Sequence, residues 1–192
     1  MILIASFGMD IKYKEEKECI SRIAEICKNK AVACFSEAHP DKKRRDELAL
    51  RVINKFAEFS IKCKYFNFET DFKTNKLEEF DCLYFCGGAS PLRLINKFKS
   101  KNLDKYFDLW HKKGKIIIGQ SAGAMILFKT FFDKNDKDEW QLYKGLGLIK
   151  SDKNLFPHYG NDEGLRDSLT NFAAENKEQI LPLPDYEYLE FE

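Results

Sequence analysis

Lys115-Ile116-Ile117-Ile118-Gly119-Gln120-Ser121-Ala122-Gly123-Ala124-Met125-Ile126-Leu127-Phe128 is the stretch on which the reading of this chain turns. Its opening lysine and three isoleucines predict a short buried strand, because β-branched residues pack well on a pleated surface and so short a run cannot open a helix. Small residues followed by the apolar run 125–128 predict a buried helix from Ala122 onward. The turn between them matches G-x-S-x-G, a sharp strand-to-helix elbow that thrusts a serine hydroxyl past the strand's carboxyl end. Glycine suits positions 119 and 123 because a Cβ there would collide with the neighbouring strand and helix. The helix that follows aims its first amides at any negative charge formed beside Ser121. A serine that merely caps a helix would read the same way locally. A Walker phosphate loop is excluded, since no Lys-Ser/Thr pair follows the glycines.

Outward from this centre, residues 2–6, 31–35 and 80–86 are apolar runs of the kind buried on both faces of a parallel sheet. Ile61, Cys63 and Tyr65 alternate with Lys62, Lys64 and Phe66, which suits a strand nearer an edge. Helical spacing recurs in Cys19, Ile20, Ile23, Ala24 and Cys27, and again in Leu48, Val52, Ile53, Phe56 and Phe59. It returns in Leu92, Ile95 and Phe98, in Leu103, Tyr106, Phe107 and Trp110, and in Leu165, Leu169, Phe172 and Ala173 within 163–176. Ser90-Pro91 is a helix start, with serine as N-cap and proline at N1. Residues 69–79 are polar with a weak helix at best, 133–139 an exposed loop, and 146–149 a short strand. Residues 180–183 and 186–191 resemble a hairpin or a pair of edge strands. The alternation predicts a single α/β domain over 1–192: three layers, a mainly parallel sheet with helices on both faces, and a small antiparallel addition near the C-terminus. In such sheets function gathers beyond the carboxyl ends of the strands. Loops 87–91, 119–123 and 156–166 fall there.

Composition narrows the classes. With 32 basic and 31 acidic residues interspersed over 192 positions, the net charge of +1 gives no reason to expect a nucleic-acid or membrane partner. Cys19, Cys27, Cys34, Cys63, Cys82 and Cys86 form no C-x-x-C and no histidine is spaced for zinc. They read as small core hydrophobes of a reduced, cytoplasmic protein without a metal. Residues 1–5 are a strand rather than a signal peptide, and no run reaches transmembrane length.

A serine nucleophile needs a base, and three histidines are available. His111 stands beside Lys112 and Lys113 on a helix, facing solvent. His158, after Pro157, and His39, before Pro40, both fall at strand-end positions, His158 downstream of the serine. An oxyanion site needs convergent, unobstructed backbone amides. Ala122, next after the serine, supplies one, and Gly87-Gly88 at a neighbouring strand end can supply the other.

Taken together, Gly119-Gln120-Ser121-Ala122-Gly123-Ala124, the preceding Gly87-Gly88, Gly145-Leu146-Gly147-Leu148-Ile149 and Pro157-His158-Tyr159 resemble the S51 serine peptidases, which include dipeptidase E and the cyanophycinases. The resemblance runs in the same order over nearly the whole chain. It implies a class I glutamine amidotransferase-like fold, Ser121 as nucleophile, His158 as general base and the Gly88 and Ala122 amides as oxyanion donors. It implies an acid in the C-terminal segment, best matched by Asp185, with Glu187 and Asp136 as other candidates. It also implies a small peptide as substrate, a dipeptide with N-terminal aspartate, Arg166 as a carboxylate clamp, and neither metal nor organic cofactor. A homodimer is compatible with it. The chain departs from the family in Gly87-Gly88-Ala89-Ser90-Pro91, where Gly-Gly-Gly-Asn-Thr is usual, and in ending soon after Tyr186. The altered Gly-Gly-Ala-Ser-Pro loop keeps open a non-catalytic binding protein on this fold, and G-x-S-x-G, shared with α/β-hydrolases, keeps open a small esterase.

Overall fold

Strands that are apolar on both sides can be satisfied only by helices packed on each face of their sheet, and the chain adopts that arrangement. The computed structural model describes residues 1–9, 17–67 and 74–192. The first half runs β1 (Ile2–Ala5), α1 (Lys17–Cys27), β2 (Ala31–Phe35), α2 (Lys42–Glu58), β3 (Lys62–Tyr65), α3 (Thr74–Leu77), β4 (Cys82–Phe85), α4 (Pro91–Ser100) and α5 (Leu103–Lys112). The second half runs β5 (Ile116–Gln120), α6 (Ala122–Met125), β6 (Thr130–Lys134), β7 (Trp140–Lys144), β8 (Lys153–Pro157), α7 (Glu163–Glu175), β9 (Gln179–Leu183) and β10 (Tyr188–Phe191).

The main sheet has the order β10-β1-β5-β4-β2-β3, parallel except for β10, which runs antiparallel to β1. Ile117 of β5 lies between Ile2 of β1 and Leu83 of β4. Every residue of β1, β4 and β5 is buried. The two-residue period of a strand shares them between the faces. Ile2, Ile4, Leu83, Phe85 and Ile117 join Leu94, Phe98, Phe107 and Trp110 of α4 and α5. Leu3, Ala5, Tyr84, Ile116 and Ile118 join Ile23, Val52 and Phe56 of α1 and α2. On the first face Phe35, Phe85, Phe98 and Phe107 interlock, with ring centroids 4.9 to 6.4 Å apart. β3 is the outer strand, its exposed Lys62 and Lys64 giving that edge the charge that discourages further pairing.

Three local expectations are corrected. The helix from Ala122 stops after Met125, although residues 126–128 are fully buried. Their carbonyls are taken instead by amides of the segment 145–149: Leu146 donates to Ile126 (2.7 Å), Gly147 to Phe128 (3.0 Å), and Leu148 and Ile149 to Leu127 (2.9 and 3.0 Å). That close approach needs glycine at 145, where a Cβ would lie 2.1 Å from the Phe128 carbonyl oxygen. The same bonds explain why residues 146–149 are no strand. Residues 133–139 are the tip and flank of the β6–β7 hairpin rather than a plain loop. Of the two readings for the C-terminal strands, the pair of edge strands holds and the hairpin does not: β9 pairs in parallel with β8, and β10 lies at the edge of the main sheet against β1. Of the polar segment 69–79, residues 69–73 lie outside the described residues, and Thr74–Leu77 forms a single helical turn. Among the described residues, no helix is long and apolar enough to cross a membrane.

Candidate active site

β5 delivers Ser121 beyond the sheet's carboxyl edge in a backbone conformation, φ 47° and ψ −114°, that few non-glycine residues adopt. The surroundings impose it. The Ser121 amide is fixed on the Ala5 carbonyl (2.9 Å), and its own carbonyl accepts from Ala124 (2.9 Å) and Met125 (3.0 Å). A Cβ on Gly119 would sit 2.6 Å from Ala124 Cα, and one on Gly123 would sit 2.2 Å from the Phe85 carbonyl oxygen. α6 can therefore press directly onto β4 and β5. Beneath the elbow, the buried Tyr84 hydroxyl donates to Gln120 Oε1 (3.0 Å) and accepts from the Met9 amide (2.8 Å), tying the loop after β1 to the end of β5.

His158 follows directly on β8 and takes a left-handed conformation, φ 59°. Its amide donates to Ser6 Oγ (3.1 Å), and that hydroxyl donates to the Leu183 carbonyl (2.6 Å). One buried hydroxyl thus joins the ends of β1, β8 and β9. The imidazole Nε2 lies 2.9 Å from Ser121 Oγ and Nδ1 lies 2.6 Å from Asp185 Oδ1. An ionised carboxylate only accepts, so Nδ1 carries the hydrogen and the Nε2 lone pair faces the serine hydroxyl. Asn161 donates its side-chain amide to the other Asp185 oxygen. Phe7 packs edge-on against the imidazole, centroids 4.7 Å apart, closing one side of the ring.

The remaining candidates are placed as follows. Gly88 and Ala122 line one cavity together with Ser121 and His158. Ala122 is the first residue of α6, so its amide has no acceptor within the helix. A Cβ on Gly88 would meet Ala38 Cβ at 2.7 Å, so glycine allows the loop after β4 to pass this close to the loop after β2. Glu187 is exposed, and Asp136 borders a separate surface groove with Arg93 and Lys97. Neither is the acid at His158. His39 accepts from the Asp41 amide at the start of α2 (3.1 Å). His111 is half-buried instead of solvent-facing; burial lowers its pKa, and its Nδ1 has no hydrogen-bond partner. Arg166 does not line the cavity: its guanidinium pairs with the adjacent Asp167 (2.9 Å).

The cavity holds about 180 Å³ and is lined by Ser121, His158 and the Gly88 loop together with Met125, Phe132, Trp140, Phe156, Leu165 and Leu169. Asp133 also lines it. Its Oδ2 accepts from Ser90 Oγ (2.8 Å) and the Leu92 amide (3.0 Å), and its Oδ1 from the Lys134 amide (2.9 Å). Ser90 also caps α4 by accepting from the Arg93 amide (3.2 Å), which gives the unusual Ala89-Ser90-Pro91 sequence a structural part. Sequence reasoning missed Ser6, Asn161 and Asp133. A polar residue ending the apolar run 2–6 was a usable signal for Ser6, whereas Asp133 sits in a charged stretch that reads as solvated. Among the described residues, no group of three or more His, Cys, Asp or Glu side chains is arranged to hold a metal.

Comparison with known proteins agrees with this architecture. The chain is 30% identical over 123 residues to "Uncharacterized peptidase Lmo0363" of Listeria monocytogenes serovar 1/2a, a match covering 59% of this chain and 58% of that relative's length. The chain thus spans a little over half the length of the curated relative it matches. A crystal structure from Listeria monocytogenes EGD-e, named as a "Putative Peptidase E Protein", superposes with a TM-score of 0.72 at 20% identity, covering 97% of this chain and 91% of that one. At that identity the likeness shows the fold, which is class I glutamine amidotransferase-like. The family model for peptidase family S51 matches residues 2–192, and the chain belongs to that family.

Proposed function

We propose that this chain is a serine peptidase acting on short peptides, with Ser121 as nucleophile, His158 as general base and acid, and Asp185 as the group that orients the imidazole. One observation carries the reading: the unbroken series Asp185 Oδ1 to His158 Nδ1 (2.6 Å) and His158 Nε2 to Ser121 Oγ (2.9 Å) at the mouth of a cavity. Ser121 Oγ attacks the peptide carbonyl as its proton passes to Nε2. The oxyanion is held by the Gly88 and Ala122 amides, the latter at the positive end of α6. His158 returns the proton to the departing amine. Water, deprotonated by the same nitrogen, then releases the acyl group and restores the serine.

The order Ser121, His158, Asp185 along the chain speaks against an α/β-hydrolase esterase, in which the acid normally precedes the histidine. An N-terminal aspartate on the substrate, which family resemblance implies, would be best received by a cation at the cavity. Arg166, its candidate, is engaged by Asp167 outside the lining. Six cysteines, five of them buried, suit a reducing cytoplasm, and the proposal includes that location.

The test is covalent. A fluorophosphonate probe should label the chain on Ser121 and should leave both Ser121→Ala and His158→Ala unlabelled. The matching peptidase assay is release of free amino acids from a dipeptide panel, abolished in the same two variants. Wild-type protein that stays unlabelled while its elbow is intact would be a binding protein instead.

A further inference from the structure

We propose that the cavity beside Ser121 selects peptides whose acyl-side residue carries an apolar side chain and a free α-ammonium group, and that it rejects an acidic side chain there. This rests on Ser121 being the nucleophile and adds the substrate class. A cavity of about 180 Å³ falls below the roughly 300–1,000 Å³ of sites for drug-sized ligands, so it suits one side chain rather than an extended segment. Much of its lining is apolar: Phe132 of β6, Trp140 of β7, Phe156 of β8, and Leu165 and Leu169 of α7. The Trp140 indole is held in place by donating to Ser168 Oγ (2.9 Å).

Charge points the same way. Among the described residues lining the cavity, the one carboxylate is that of Asp133, and neither lysine nor arginine is present. Lys134, next along β6, has its ammonium on Asp138 (2.8 Å), and Arg166 is held by Asp167 (2.9 Å). A substrate carboxylate would leave water for an apolar wall, with no lysine or arginine among the described lining residues to receive it and a carboxylate nearby. A substrate ammonium meets the opposite situation. A carboxylate has about four lone-pair sites, and Asp133 fills three with Ser90 Oγ and the Leu92 and Lys134 amides. The fourth can accept from the α-ammonium group of a substrate whose side chain lies among the aromatic rings.

Three active-site probes, used on the full chain, test this: a plain alkyl fluorophosphonate, and leucine-derived and aspartate-derived α-aminoalkyl diphenyl phosphonates. With the last two, an Oγ–P bond forms at Ser121, a P–O(phenyl) bond breaks, and phenol leaves with the proton that His158 took from the serine. The leucine probe should react at least about tenfold faster than the aspartate probe, the scale on which an apolar pocket discriminates. Acetylating the leucine probe's amine should slow it by about the same factor. Leu165→Arg, at a position 39% exposed on the rim where folding is not at stake, should shift the leucine-to-aspartate ratio about tenfold toward aspartate by supplying a cation. A ratio of one or below, with the fluorophosphonate still labelling Ser121, overturns the specificity and leaves the nucleophile standing. Absence of fluorophosphonate labelling overturns the serine-peptidase reading and the specificity with it.

Discussion

Asp185→Asn separates the geometry of the site from its proton placement. In the native site both neighbours of the carboxylate donate to it, His158 through Nδ1 and Asn161 through its side-chain amide. An amide of the same shape offers one acceptor and one donor face, so it can serve only one of them properly. If its oxygen stays with Asn161, its NH2 meets Nδ1, and the ring shifts its hydrogen to Nε2. The hydrogen then points at Ser121 Oγ, and no base remains. The same exchange in a serine-protease triad costs about 10⁴-fold in kcat, or about 5 kcal/mol in the barrier. The expected loss here is of that size, read as kcat/KM on a dipeptide and as the rate of fluorophosphonate labelling. Adding Asn161→Asp should recover part of it. The new carboxylate accepts from the new amide and turns the amide oxygen back to Nδ1, restoring the tautomer. Imidazole nitrogen chemical shifts would report the switch directly. Retention of activity within about tenfold in Asp185→Asn, less than removal of the orienting acid costs, would refute the assignment of Asp185. A folded double variant no faster than the single one would refute the amide-orientation argument.

Other outcomes follow from particular contacts. Gly123→Ala places a methyl 2.2 Å from the Phe85 carbonyl oxygen, so α6 must lift off β4; overpacking of this kind costs about 1–3 kcal/mol, and urea unfolding within error of wild type would contradict it. Tyr84→Phe strips the buried Met9 amide of its acceptor and Gln120 of a donor, an expected loss of about 1–3 kcal/mol that thermal melts would register. Glu78 shows a pH effect with a definite sign. The Tyr106 hydroxyl and then the Lys113 ammonium hold its pKa down at about 2, from an ordinary 4.5. Its stabilising effect is therefore complete above the ordinary carboxylate range and is lost as pH falls through about 2. Glu78→Gln should lower the melting temperature at neutral pH, with the gap to wild type closing toward that value, and a gap unchanged between pH 7 and 3 would contradict this assignment.

The layered sheet could be read in advance because its inner strands have no polar face: residues 2–5, 82–85 and 116–118 advertise burial on both sides whatever surrounds them. The elbow was legible because its G-x-S-x-G spacing is local and Gly119 answers to Ala124 and Leu127 just beyond the turn, although Gly123 answers to Phe85 of the distant β4. Reading failed where distant segments decide the outcome. Nothing in Met125-Ile126-Leu127-Phe128 says that its carbonyls will be taken by amides twenty residues later, so a helix was the natural expectation and a single turn the result. β8 escaped notice because Lys153-Asn154-Leu155-Phe156-Pro157 mixes a buried asparagine with a terminal proline, and its partner β9 is far along the chain. Asn154 is buried through bonds from Thr130 Oγ1 (2.7 Å) and to Glu178 (2.8 Å), neither visible from spacing. Asp133 failed for the opposite reason, lying among charges that suggest solvent while its carboxylate faces the start of α4. Arg166 was named by analogy with a clamp, and its own neighbour Asp167 takes the guanidinium.

The hydroxyl of Ser6 bears on how the molecule comes to life. It bridges the His158 amide and the Leu183 carbonyl, contacts separated by 152 and 177 positions. During synthesis the amino-terminal strands and the elbow leave the ribosome first, carrying a serine with neither imidazole nor acid beside it. Such distant pairings are the slow ones in folding, so hydrolytic competence should appear late and abruptly, after the stretch around Asp185 has emerged and docked. A nascent chain would stay silent toward peptides around it until that last closure.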